Sequence, residues 1–289
     1  MTRLYKNTLK DDPTRTLTLR NKAVSETNRR YGELKSLVYA TVATNNYFNI
    51  NAVPLEGSDF VFLRDSERLD RFDIWLQQTI AELITSGNAT PGSSEINWLL
   101  EYIETGYVRG VKKGNSQLSS QFGNNIVPDR IDIFAGPFHV EKASLLFSRD
   151  FTQLKGITAA MSQQMNYILS EGILNGENPE KIARKMLDRI DKIGITRTRL
   201  LARTEIINAH NLGTILEGEE VGDLLGEEIV YRWITAGDGK VRTSHAIRNS
   251  RYYTQEEVVK LIGEPNCRCS VVAVPLSRVP EGVRVIGLN

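Results

Sequence analysis

Over most of the chain, apolar residues recur every three or four positions. Only near the C-terminal end does the spacing shorten to two. Val24, Tyr31, Leu34, Val38 and Val42 predict a helix over about 21–44. Leu69, Phe72, Leu76, Ile80 and Leu83, with Trp75 beside them, predict a second, and Ile96, Leu99, Leu100 and Ile103 a third after Pro91-Gly92. From about 139 the stripe is long: Phe147, Phe151, Leu154, Ile157, Met161, Met165 and Ile168, ending near Gly172. Met161 and Met165 read as core filler. Asn178-Pro179-Glu180 opens the next helix with an N-cap, a first-turn proline and an acid at the positive end. That helix carries Ile182, Met186, Leu187 and Ile190 and stops at Gly194. Another begins near Thr196 and carries Leu200, Leu201, Ile207, Leu212, Ile215 and Leu216. These three form a helical hairpin and its continuation.

The period then changes. Ile229, Tyr231 and Trp233 alternate with Val230, Arg232 and Ile234, as a strand does. Ala236-Gly237-Asp238-Gly239 is a turn. A short helix starts at Thr254, where Glu257 completes a capping box, and Gly263 and Pro265 end it. A second strand runs from about Cys267 to Val274. Residues 1–18 show no period and read as an arm, ordered only if something holds it. Half of residues 109–126 are Gly, Ser or Asn, so they are expected to form an exposed loop that serves as an assembly contact. The expected fold class is α+β, mostly helical, with a long helical hairpin and a small C-terminal α/β unit. The expected division is an N-terminal helical region over 1–138 and a second domain over 139–289, with helices over 139–220, the α/β unit over 226–275 and a tail.

Composition narrows the class. The chain has 289 residues, of which 40% are apolar and 25% charged, enough to bury a core. There are 36 Lys and Arg against 35 Asp and Glu, so global charge gives no reason to expect nucleic-acid binding. Basic character is local. The first fifty residues hold nine basic and four acidic residues, and seven cations fall within 181–199 against Asp188 and Asp191. Both stretches read first as solvated faces, with phosphate contact as the alternative. No apolar run approaches the roughly 20 residues of a membrane span, and the start lacks a secretory pattern. The expected compartment is the cytoplasm of the producing cell, with no membrane partner.

Chemistry rests on few residues. Cys267 and Cys269 are the only cysteines. On a strand, residues two apart point the same way, so both thiols would share a face. Their Cα atoms would lie about 6.5 Å apart, which strains a disulfide. Two same-face thiols instead make half of a zinc site, with His245 as the best third ligand and Asp238 as a fourth. The other reading leaves the cysteines as small packed residues and His245 as a hydrogen-bonded side chain. An enzyme would use Cys267, Cys269 and His245 for metal-dependent or thiol chemistry, or pair Asp238 with His245 as acid and base. No C-x-x-C, G-x-S-x-G, P-loop or H-E-x-x-H supports that.

Four motifs in order carry a resemblance. Ala202-Arg203-Thr204-Glu205 lies on a helix. Trp233-Ile234-Thr235 precedes the turn with Asp238. Val241-Arg242-Thr243-Ser244-His245 follows, and Asn266-Cys267-Arg268-Cys269 closes the set. Over about 145–275 this resembles the head-morphogenesis proteins of tailed bacteriophages, the minor head proteins similar to phage Mu protein F. The resemblance implies a non-enzymatic virion component, incorporated at or near the portal vertex during capsid assembly. The implied partners are the portal protein and/or the major capsid protein, with contact to double-stranded DNA and an influence on its ejection in some members. The implied location is the head interior, and the host cytoplasm during assembly. Arg203, Thr204, Glu205, Trp233, Asp238 and Asn266 carry over as framework residues. Many relatives have Cys-x-x-Cys where this chain has Arg242 to His245, and His-Pro before the final Cys-x-Cys. Here Gly263-Glu264-Pro265 stands in that place. His245, Cys267 and Cys269 remain as ligands, below the four of a closed zinc site, so no cofactor is expected, and zinc is the ion these three would take. Twenty residues follow Cys269, so no appended toxin or enzyme domain is expected.

Overall fold

The computed structural model describes residues 12–45, 52–54, 60–62, 66–86, 97–123, 127, 133–134 and 137–288. The fold is α+β and mostly helical. The helices are α1 (Leu17–Tyr39), α2 (Ser66–Ile80), α3 (Trp98–Phe122), α4 (Pro137–Leu174), α5 (Pro179–Arg189), α6 (Thr196–Leu225), α7 (Thr243–Arg248) and α8 (Gln255–Leu261). Wider π turns extend α1, α2 and α5 over Ala40–Thr44, Ala81–Thr85 and Ile190–Ile195. The last of these leads straight into α6, so Gly194 does not stop the chain's helical course as expected. The start of α5 is as predicted: Asn178 Oδ1 accepts from the Glu180 amide at 2.8 Å, and Pro179 fills the first turn. Among the described residues, no helix is long and apolar enough to cross a membrane.

Two compact units divide the residues, and neither is one continuous stretch. The first takes Met1–Lys22, Leu99–Ser148 and Ala202–Asn289; the second takes Ala23–Trp98 and Arg149–Leu201. The expected cut at 138/139 falls within α4.

In the second unit, strands β1 (Ala52–Pro54) and β2 (Phe60–Phe62) pair antiparallel. Its core holds Tyr31, Leu34, Phe72, Leu76, Ile84, Leu154, Met161 and Met165, all buried. Tyr31 Oη and Thr198 Oγ1 share a hydrogen bond of 2.8 Å, and Trp98 Nε1 donates to the Ile84 carbonyl at 2.7 Å. The basic stretch 181–199 is largely answered by acids. Lys181 and Lys185 pair with Glu177, Arg184 with Glu180, and Lys192 with Asp188.

In the first unit a four-stranded mixed sheet runs in the order β5 (Ser270–Pro275), β3 (Ile229–Ile234), β4 (Tyr252–Tyr253), β6 (Val285–Ile286). β3 pairs antiparallel with β5, Trp233 opposite Val271, and β4 runs parallel to β6. Alternation along β3 sorts the side chains. Ile229, Tyr231 and Trp233 face a core with Leu118, Ile215, Val221, Tyr253, Val258 and Val271, while Val230 packs with Tyr252 and Val285.

Three local expectations are corrected. Most of the predicted loop 109–126 is helix, the C-terminal half of α3; residues 124–126 lie outside the described set. Its glycines belong to a four-residue period, Gly106, Gly110 and Gly114, on the face that meets α6. A Cβ at Gly106 would stand 2.8 Å from the Ile206 carbonyl oxygen, one at Gly114 2.9 Å from that of Thr214, and one at Gly110 closer still to that of His210. Only glycine allows this approach. The polar residues close an open strand edge: Gln117 Oε1 accepts from the Ala273 amide at 3.0 Å and Gln121 Nε2 donates to its carbonyl at 3.1 Å.

The described part of the expected arm, residues 12–18, is held in place. Residues 1–11 lie outside the described set, but Asp12 is fixed. Its carboxylate accepts from the Leu17 amide at 2.7 Å and from Arg20 at 2.9 Å, opening α1 as an acidic cap. The third correction is the capping box at α8. Thr254 precedes the helix, yet its side chain makes no cap bond, and its amide instead donates to the Ile286 carbonyl at 2.9 Å. Glu257 pairs with Lys260.

Candidate functional site

Cys267 and Cys269 do not lie on a strand as predicted; β5 starts at Ser270. They sit in the turn that follows α8. Gly263 (φ +82°) and Asn266 (φ +56°) take left-handed backbone there, and the Cys267 amide donates to the Glu264 carbonyl at 3.0 Å. Three side chains of α6 address this turn. Thr204 Oγ1 accepts from the Asn266 amide at 3.1 Å, Asn211 Nδ2 donates to the Cys269 carbonyl at 3.0 Å, and Asn208 lies against Gly263. Their spacing of four and three residues places them on one helix face.

The turn delivers both sulfurs to one imidazole. His245 Nδ1 is 3.4 Å from Cys267 Sγ and 3.4 Å from Cys269 Sγ. Its other nitrogen, Nε2, is 2.7 Å from Glu264 Oε2. Donation from Nε2 to that carboxylate leaves the Nδ1 lone pair aimed at the sulfurs. Glu264 is itself held by Arg242 and Arg248, each at 3.0 Å. The Trp233 indole, 1% exposed, meets the imidazole edge-on at 6.1 Å between ring centres. Hydrogen bonding from Cys269 pulls the Cys267 thiol below the usual thiol range, and the same contact, reinforced by burial, pushes Cys269 up.

These donors suit zinc. Zn–S near 2.3 Å and Zn–N near 2.0–2.1 Å at a tetrahedral angle put sulfur and nitrogen about 3.5 Å apart, close to what the turn provides. Glu264 behind the imidazole has the place of the carboxylate that orients a histidine ligand. The three donors line a cleft of about 450 Å³ together with Arg20, Arg203, Lys240, Arg242 and Arg268.

Asp238 does not join this group. Arg268 grips both its oxygens at 2.6 and 2.7 Å and holds its carboxyl below the usual range. Neither the expected fourth ligand nor an Asp238–His245 couple forms; the carboxylate at His245 is Glu264. Of the other framework candidates, Glu205 accepts from Asn208 at 3.1 Å and Arg203 lines the cleft.

Sequence reasoning missed a second cluster. Buried His139 lies with Nε2 3.2 Å from Glu217 and 3.0 Å from Glu220, and Nδ1 2.8 Å from the Tyr107 hydroxyl. Asn115 donates to Glu217 at 2.9 Å. Glu217 and Glu220, one turn apart on α6, were the available signal.

Residues 163–272 match the family described as Phage Mu protein F like protein, a stretch that contains the whole His245–Cys267–Cys269 group and its α6 supports. No curated protein and no solved structure matches the chain.

Proposed function

Since residues 163–272 match the phage Mu protein F-like family, we propose that this is a minor head protein of a tailed bacteriophage, built in at or near the portal vertex during head assembly. The family match carries the reading. In support, the motif residues serve one another here: Thr204 holds Asn266, Asp238 holds Arg268, and Trp233 backs His245. These contacts join the motif residues into one cluster around the 263–269 turn. The partners in this reading are the portal protein and/or the major capsid protein. The protein resides in the head interior, after assembly in the host cytoplasm. Mass spectrometry of purified procapsids and virions tests the proposal; absence from both ends it. Contact with packaged double-stranded DNA, with an effect on ejection, belongs to the same proposal and draws support from the cationic cleft. It requires affinity that falls steeply with salt.

Zinc at His245, Cys267 and Cys269 would tie α7 to the 263–269 turn and supply a cross-link in place of a larger core. Elemental analysis of protein purified without chelator tests this part. A second reading, a thiol enzyme, draws on the line Glu264–His245–Cys267, in which an imidazole backed by a carboxylate faces a sulfur. It requires that Cys267→Ala abolish a turnover measurable on wild-type protein, whereas the assembly reading requires loss of particle incorporation.

A further inference from the structure

A cavity of about 720 Å³ lies in the first unit away from the His245 site. Arg109 and Lys113 from α3, His210 from α6 and Arg232 from β3 line it, with Arg15 from the turn before α1 at its edge, and among the described residues no carboxylate does. Collecting cations in a sheltered place without an anion costs free energy. Three of these groups carry that tension visibly. His210 is 1% exposed, and its buried Nδ1 has no partner among the described residues. The buried Nε of Arg232 has none either. Among the described residues, Lys113 Nζ donates to Ser270 Oγ at 2.7 Å and reaches the Pro13 and Val271 carbonyls at 3.4 Å, all neutral oxygens. Burial, and the nearby Arg15 charge after it, push its ammonium down to about 7. Asp12, whose charge acts on Lys113, is already committed to Arg20 and the Leu17 amide.

We propose that this cavity is an anion site that takes a phosphate group, with Arg109, Lys113 and Arg232 as the charged donors and His210 beneath them. A carboxylate, with two oxygens, would leave most of these donors idle. A phosphate offers three or four oxygens and matches guanidinium forks in pairs. Thr14, Ser116 and Ser270 add hydroxyl residues to the lining. The volume exceeds a bare phosphate, and Ile234, Val272 and Pro13 add an apolar side, so the phosphate is carried on a larger molecule. Two sources share this chemistry, a small phosphorylated metabolite and a nucleic-acid backbone. The inference does not depend on the head-protein reading.

Calorimetric titration of the full-length protein at constant ionic strength tests it, using inorganic phosphate, pyrophosphate and a 20-base-pair DNA duplex as probes. Saturable binding of one phosphate or pyrophosphate per chain is expected, at least tenfold weaker in Lys113→Met and Arg232→Gln. Arg184→Gln, a change on the unrelated basic face, should bind as wild type. If the duplex binds with the same dependence on Lys113 and is displaced by pyrophosphate, the source is a nucleic-acid backbone. If the duplex neither binds nor competes, it is a small phosphorylated molecule. Should a variant misfold, the melting temperature of wild-type protein must still rise with phosphate and not with equal ionic strength of chloride. No saturable binding of any probe, or equal binding by the Lys113 and Arg232 variants, overturns the proposal.

Discussion

Replacing Gly110 by alanine adds one methyl at the closest approach of α3 and α6. Its neighbours set the scale. Ordinary contacts of a Cβ begin near 3.4 Å, while methyls at Gly106 and Gly114 would meet carbonyl oxygens at 2.8 and 2.9 Å, and the Gly110 position is tighter than either. The obstacle is backbone and cannot rotate aside, so the helices must part by roughly half an ångström or more. Overpacking of this kind costs about 1–3 kcal/mol. Parting also stretches the bond from Thr214 Oγ1 to the Gly110 carbonyl (3.0 Å) and that from Asn115 to Glu217 (2.9 Å). Each is worth about 1 kcal/mol. Against this, alanine gains about 1 kcal/mol of helix propensity over glycine. The net expectation is a loss of about 2–4 kcal/mol, the sum of these ranges less the propensity gain. Gly32 and Gly156 supply the control, because a Cβ at either meets nothing within 4 Å. Alanine there should stabilise by about 0.5–1 kcal/mol. Urea unfolding followed by circular dichroism, compared at constant slope, reads all three. Gly110→Ala matching or exceeding wild type would refute the packing argument.

Three further outcomes follow from the same contacts. The folded Lys113 titrates near 7 against 10.5 when unfolded, so between those values the unfolded chain binds a proton that the folded one does not, and stability should rise with pH across that window. Partial exposure limits the gain to about 1–3 kcal/mol, and Lys113→Met should flatten the slope in a denaturation series from pH 7 to 10. Glu264→Gln should weaken zinc binding about 10–100-fold, read by chelator competition, while leaving both sulfurs in place; unchanged affinity would remove Glu264 from the ligand's support. Trp233→Ala, at a site 1% exposed, should cost about 3–5 kcal/mol, and a loss under 1 kcal/mol would mean the C-terminal core is anchored elsewhere.

Most of the long helices were legible because they bury an apolar stripe, a periodicity of the sequence itself, whereas the short α7 was not expected at all. The strand at Ile229–Ile234 was legible for the same reason at period two. Residues 109–126 were not, because Gly, Ser and Asn announce a loop by composition, whereas here their meaning lies in a spacing of four that only the facing α6 makes sense of. The meeting of His245 with Cys267 and Cys269 could be expected from residue type and order. The mechanism of that meeting could not: a strand was inferred where the left-handed backbone of Asn266 makes a turn. Glu264 stands where the family resemblance leads us to expect a histidine and so reads as a lost ligand, although a carboxylate there reaches the imidazole's far nitrogen. Asp238 looked available from its turn, but Arg268, thirty residues on, claims it. Such pairings depend on tertiary distance, which no local pattern encodes.

The order in which the ribosome releases these segments matters for how the molecule is made. Everything in the unit formed by Ala23–Trp98 and Arg149–Leu201 exists once residue 201 has emerged, whereas the other unit needs its last strands, residues 270–286, to close its sheet. The glycine seam of α3 is thus synthesised 100 positions ahead of its α6 mate (Gly110 against His210) and waits, at about 5–20 residues per second, for about 5–20 seconds with its apolar face uncovered. Pairings this distant along the polypeptide form slowly. A nascent chain stalled before residue 229 should be the species that chaperones hold and proteases cut first.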